Sequence, residues 1–257
     1  MNNRPLILIA NDDGYRAGGL KALIEAARPF GDLLAVSSVE SQSGMSHAIT
    51  VKVPLHIEKH TEEPGFTMYV SNGTPVDCVK FALNKLIDRH PTLLLTGVNH
   101  GANSSVSVLY SGTMAAAIEG CMYHIPAIGF SLLDHSQNAD FSPYIDYIRK
   151  IIETVLKNGL RRGVCLNVNI PNIPADNIKG IRVCRQARGY WIEEFVHRID
   201  PNHREYYWLT GEYFNEEPDA EDTDEWTLKN GYISVVPVQI DMTCYQSIEK
   251  LKNLFEM

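Results

Sequence analysis

The chain has 257 residues, with 23 Lys plus Arg against 31 Asp plus Glu, so its formal net charge is −8. That balance excludes the basic face of a general nucleic-acid binder, and no duplex partner is expected; a small anion held through a bound cation stays open, because that field is local. The length suits one large domain, or a domain with an appended lobe, and an apolar content of 44% supports a sizeable core.

The five cysteines, Cys78, Cys121, Cys165, Cys184 and Cys244, form no C-x-x-C pair and are odd in number. A disulfide framework or zinc cage is therefore not expected, and a reducing, cytoplasmic setting is. The opening "MNNRPLILIAND" lacks a signal-peptide pattern, and no run approaches the roughly 20 apolar residues of a spanning helix, so no membrane partner is expected.

In chain order, "LILIA" reads as a fully buried strand, and "GLKALIEAARPFG" as a helix with Leu20, Leu23, Ile24 and Ala27 on one face. "LLAV" is the next strand, which makes a βαβ unit with parallel strands. "TMYVSNGTPVDCVKFALNKLI" predicts a strand, a turn and a helix capped by Thr74, with Pro75 at its first position and Asp77 completing a capping box. "TLLLTGVNHG" is a strand ending in a glycine-bearing loop, "MAAAIEGCMY" a helix and "AIGFSLL" a strand. "SPYIDYIRKIIETVLKNG" is a helix between Pro143 and Gly159, and "GVCLNVNIP" closes the series.

The expected fold is α/β: a Rossmann-like, doubly wound, mainly parallel sheet with a C-terminal hairpin and helix extension. Its core takes residues 1–185 plus 230–242, the extension 186–229 and the terminal helix 243–257 of a single domain. Two aromatic runs around "DPNH" predict a hairpin. An isolated hairpin is marginal, so this one either reaches a neighbouring subunit by swapping or folds over its own site. The acidic "NEEPDAEDTDE" reads as a solvated loop.

Four polar loops follow strands and can line one crevice: Asn11–Gly14, Ser38–Thr50, Ser71–Pro75 and Gly97–Thr113. Adjacent Asp12 and Asp13 repel each other. On a continuing strand they would point to opposite faces, so convergence requires the turn that Gly14 permits. A shared divalent cation relieves the repulsion, and the plainer alternative is one helix-capping aspartate beside a solvated one. Ser43 and Asn99 offer neutral oxygens, which favours a hard ion over zinc. For His47 and His100, substrate positioning or proton transfer stands beside a plain surface role. Ser111, Gly112 and Thr113 precede a helix and suit an anion, or serve simply as caps. No P-loop, no G-x-G-x-x-G after the first strand and no G-x-S-x-G after a strand is present.

The stretches "ILIANDDGYRAGGL", "SQSGMSHAIT", "NGTPVDCV", "VNHGANSSVSVLYSGT" and "GYISVVPVQIDMT" together resemble the SurE family of metal-dependent 5'/3'-nucleotidases. The resemblance implies a homodimer or homotetramer with a swapped extension. It also implies hydrolysis of nucleoside 5'- and 3'-monophosphates by metal-activated water, with one Mg²⁺ or Mn²⁺ on Asp12, Asp13, Ser43 and Asn99. Asp12, Asp13, Asn99 and Asn103 would be catalytic, and Ser43, Gly44, Asn103, Ser111, Gly112 and Thr113 would line the phosphate pocket. A non-catalytic, metal-dependent nucleotide-binding protein is the alternative. Ser105 and Ser107 replace a glycine and an aspartate common in the family's long loop, and Tyr245 stands where some members have a histidine four residues after Asp241. A tyrosine is the poorer proton donor, which leaves the general acid unassigned.

Overall fold

The computed structural model describes residues 4–136 and 138–256; residues 1–3 and 257, the ends of the expected core and terminal helix, lie outside them. Strands β1 (Leu6–Asn11), β2 (Asp32–Ser38), β3 (Ile57–Glu63), β4 (Phe66–Ser71), β5 (Leu93–His100), β6 (Ala127–Leu132), β7 (Val164–Ile170) and β8 (Ile181–Val183) join a later strand in one sheet. Together with that strand, β13 (Ile233–Gln239), the order is β3-β4-β2-β1-β5-β6-β7-β13-β8. The pairs β1–β2, β1–β5, β2–β4, β5–β6 and β6–β7 are parallel, while β3 and β13 run antiparallel to β4 and β7.

The chain leaves β1 towards β2 and β4, then returns to the other side of β1 to lay down β5, β6 and β7. The order therefore reverses between β1 and β5, where open α/β sheets form their ligand crevice. Helices α1 (Gly18–Ala27) and α4 (Ile145–Asn158) cover one face, with Leu20, Leu23, Ile148 and Ile152 against Ile7, Ile9 and Phe130. Helices α2 (Pro75–Phe81) and α3 (Gly112–Met122) cover the other, with Val79, Met114 and Ala117 against Leu8, Val36 and Leu94. Both faces are buried, which is why the central strands read as unbroken apolar runs.

The expected capping box is formed: Asp77 N–H donates to Thr74 Oγ1 and Thr74 N–H to Asp77 Oδ2. Asp77 also accepts from Thr50 N–H, so the cap of α2 anchors the loop that carries Ser43. Strand β3 is an addition to the expected elements. It is a charged edge strand, and charge on an edge both deters aggregation and erases the apolar alternation that would reveal it.

After β8 come β9 (Gly189–Ile192), paired with β12 (Glu212–Asn215), and the expected hairpin β10 (Phe195–Ile199) with β11 (Glu205–Leu209). The hairpin exposes Phe195, Ile199, Tyr207 and Trp208. Helix α5 (Asp224–Lys229) precedes β13, and α6 (Tyr245–Phe255) ends the described chain without a buried residue.

The acidic stretch corrects its expectation. Asp224 is buried and accepts N–H bonds from Ser105 and Ala187, Ser104 Oγ donates to Glu225, and Arg185 pairs with Glu217 and Asp222. A charge run reads as solvated only when its partners are invisible; here they are backbone amides and a guanidinium supplied from elsewhere.

Candidate active site

Asp12 and Asp13 lie in the bend that ends β1, and Gly14 there takes a positive φ of 93°. Asp12 is 2% exposed. Its Oδ1 accepts from Thr113 Oγ1 at 2.6 Å and its Oδ2 from Thr113 N–H at 3.1 Å. A Cβ at Gly112 would stand 2.9 Å from Asp12 Oδ2, so only glycine lets the start of α3 come this close. Burial, and then the charge of Asp13, pushes the Asp12 carboxyl up to about 6 against the pull of the Thr113 bonds. Asp13 Oδ2 accepts from His100 N–H and faces His100 Nδ1, both at 3.0 Å. The His100 ring stands edge-on to Phe141.

Asn99 comes from β5, the strand across the switch point. Between Thr96 and Asn99 that strand advances three residues while β6 advances two, from Gly129 to Ser131. Such a bulge re-aims the side chain that follows it. The Asn99 amide donates to the carbonyls of His100 and Gly101, which leaves Oδ1 as its available ligand atom. Gln42 N–H donates to the Asp12 carbonyl at 2.7 Å, which tethers the exposed Ser43–Gly44 segment to the acidic turn.

Asn103 is held on three sides. Its N–H donates to Asn169 Oδ1, its carbonyl accepts from Asn167 Nδ2, and its own Nδ2 donates to Ser131 Oγ at 2.8 Å. Asn169 Nδ2 in turn donates to Asn167 Oδ1. Two asparagines inside an otherwise apolar strand, Asn167 and Asn169 of β7, are the sequence signal for this scaffold.

A cleft of about 520 Å³ gathers Asp12, Ser43, Gly44, Asn99, Asn103, Ser111 and Gly112. Thr113 and Asp13 are set back from its lining, bonded to Asp12 and His100. With Thr113 N–H given to Asp12 and Met114 N–H to Ser111 Oγ, the Gly112 N–H and the Ser111 hydroxyl are the groups left at the start of α3 for an anion. His100 borders the cleft, whereas His47 turns away and meets buried Glu119 at 3.0 Å. The sequence reading missed His135, Trp191, Glu194, Leu209 and Thr210, which also line the cleft, the last four from the extension.

Ser105 takes a left-handed φ of 49°. That is a backbone a glycine takes without strain, and Ser105 is held in it by its N–H to Asp224 and its hydroxyl to the Ala187 carbonyl and the Tyr213 hydroxyl. The Tyr245 hydroxyl donates to Asp241 on the exposed surface, and neither residue lines the cleft.

The family profile described as Survival protein SurE matches residues 7–193. This chain belongs to the SurE family. It is 50% identical over 252 residues to the Flavobacterium psychrophilum protein named 5'-nucleotidase SurE, covering 98% of each chain. A Bacteroides fragilis protein of the same name is 45% identical, again over 98% of each chain. The crystal structure of the SurE protein from Aquifex aeolicus superposes with a TM-score of 0.84 at 35% identity, over 97% of this chain and 99% of that one.

The SurE donor set fits a hard cation. Among the described residues no cluster of three or more His, Cys, Asp or Glu side chains could hold a metal, so an ion here would rest on two carboxylates and neutral oxygens. Asp12 is raised first by burial and then by the charge of Asp13, and a dication would offset both by stabilising the ionised carboxylate. Among the described residues no helix is long and apolar enough to cross a membrane.

Proposed function

We propose that this chain is a divalent-metal-dependent 5'-nucleotidase, which hydrolyses nucleoside monophosphates to nucleoside and phosphate. The meeting of Asp12, Asn99, Asn103 and the start of α3 in one cleft at the switch point supports this reading most. Asp12, Asp13, Ser43 and Asn99 would hold one Mg²⁺ or Mn²⁺, which when bound supplies Lewis-acid charge and an acidified water.

The chain's own residues do the rest. Gly112 N–H, the Ser111 hydroxyl and the Asn103 amide bind the phosphoryl oxygens, on which charge grows as water attacks in line with the leaving nucleoside oxygen. Ser131, Asn167 and Asn169 keep Asn103 from following the substrate. Thr113 orients Asp12, and His100 orients Asp13. The exposed apolar hairpin and α6 favour assembly as a homodimer or a homotetramer. The deciding assay is phosphate release from AMP with Mg²⁺ or Mn²⁺ and with a chelator. Turnover abolished by chelation is expected; metal-dependent binding without turnover would leave a nucleotide-binding protein instead.

A further inference from the structure

We infer that the extension's wall of the cleft is a nucleobase subsite for purines, with Trp191 as stacking surface and Glu194 as acceptor for the N–H groups of the base. This rests on the monophosphatase reading above.

The cleft of about 520 Å³ has more room than a bare phosphate fills. Its two walls differ in chemistry. The loops at the strand ends bring amides, hydroxyls and a carboxylate, and the extension brings Trp191, Leu209, Thr210 and Glu194. An indole offers any base a π-face, and the larger purine ring covers more of it.

Trp191 is held in place. Its ring stands edge-on to Tyr213 at 6.2 Å, and the Tyr213 hydroxyl meets Ser105 Oγ at 2.5 Å. Ser105 lies two residues from Asn103, so the stacking wall and the phosphate wall are fixed to one loop. The turn carrying Glu194 is closed by Thr210 N–H donating to the Glu194 carbonyl at 2.7 Å. Glu194 is exposed, and among the described residues its carboxylate has no hydrogen-bond or ion-pair partner within the chain. A free carboxylate repels phosphate and suits a donor. Adenine presents an amino group, guanine an amino group beside a ring N–H, and uracil one N–H between two carbonyls.

The test measures KM and kcat for AMP, GMP, UMP and ribose 5-phosphate in the wild type, Trp191→Leu, Trp191→Phe and Glu194→Gln. Calorimetry of adenosine with metal-free protein provides a readout independent of turnover. Trp191→Leu is expected to raise the KM ratio of AMP to ribose 5-phosphate about tenfold and to abolish adenosine binding, and Trp191→Phe to restore most of both. Glu194→Gln is expected to raise KM several-fold more for GMP than for UMP. Equal KM changes for AMP and ribose 5-phosphate, or wild-type protein that does not bind adenosine, would overturn the subsite. Wild-type protein that binds adenosine through Trp191 yet cleaves no monoester would sink the nucleotidase reading and leave the subsite standing.

Discussion

Both carboxylate oxygens of Asp12 are claimed by one residue, Thr113, whose hydroxyl donates to Oδ1 and whose backbone N–H donates to Oδ2. The two residues are 101 positions apart, so the end of β1 and the first turn of α3 are fixed to each other at the carboxylate itself.

Asp12→Asn and Asp13→Asn should each lower the rate of AMP hydrolysis by orders of magnitude, because a decade in rate is lost for every ~1.4 kcal/mol of transition-state stabilisation. Asp12→Asn should nonetheless leave the metal-free fold as stable as the wild type or more so near pH 8. Its amide can accept from Thr113 N–H and donate to Thr113 Oγ1, and it removes a buried charge. Phosphate release and thermal melts in chelator separate the two effects; a variant that both unfolds and loses activity would count against a charge-specific role.

Stability of the metal-free protein should fall with rising pH. The folded chain keeps a proton on Asp12 up to about pH 6, while the unfolded carboxyl releases it near 3.8. The contribution is therefore fully present below about pH 4 and lost as pH climbs through 6, with an amplitude on the order of 2–3 kcal/mol. Denaturant titrations from pH 4 to 8 would show this slope, and Asp12→Asn should reduce it, leaving the part that comes from Asp224 and Glu225, whose carboxyls burial also raises. Added Mn²⁺ should stabilise most above pH 6, where it no longer competes with the proton.

Gly112→Ala should reduce activity by about tenfold or more while the protein stays folded, since the new methyl would meet Asp12 Oδ2 at 2.9 Å and force the carboxylate or the helix start to move. Steady-state kinetics with circular dichroism as the control would measure it. Unchanged kinetics would mean that Asp12 has slack that its two bonds to Thr113 do not suggest.

Asn169→Ala should destabilise the fold by about 1–3 kcal/mol, because it strands the buried N–H of Asn103 and an acceptor on Asn167. It should also weaken inhibition by inorganic phosphate more than it weakens Mn²⁺ binding. Inhibition constants beside a metal titration would reveal this; equal losses would make the asparagine pair a purely structural prop.

The alternation of buried strands and helices was legible in the sequence because each element carries its own signal. The runs at Leu6–Ala10 and Leu93–Leu95 are apolar throughout, Thr74 and Asp77 cap within one turn, and Asp12 and Asp13 sit where a strand must end. These signals depend on neighbours a few residues away, and so they survive without knowledge of the fold. The tertiary structure alone decided the rest: that β1 and β5 lie side by side, that a bulge aims Asn99 into the crevice, and that Thr113 serves Asp12. It also decided that Asp224 is buried against the N–H of Ser105, 119 residues away, and that Trp191 and Glu194 wall the cleft. Contacts between residues so far apart depend on how whole elements dock, and no local pattern of polarity records that docking.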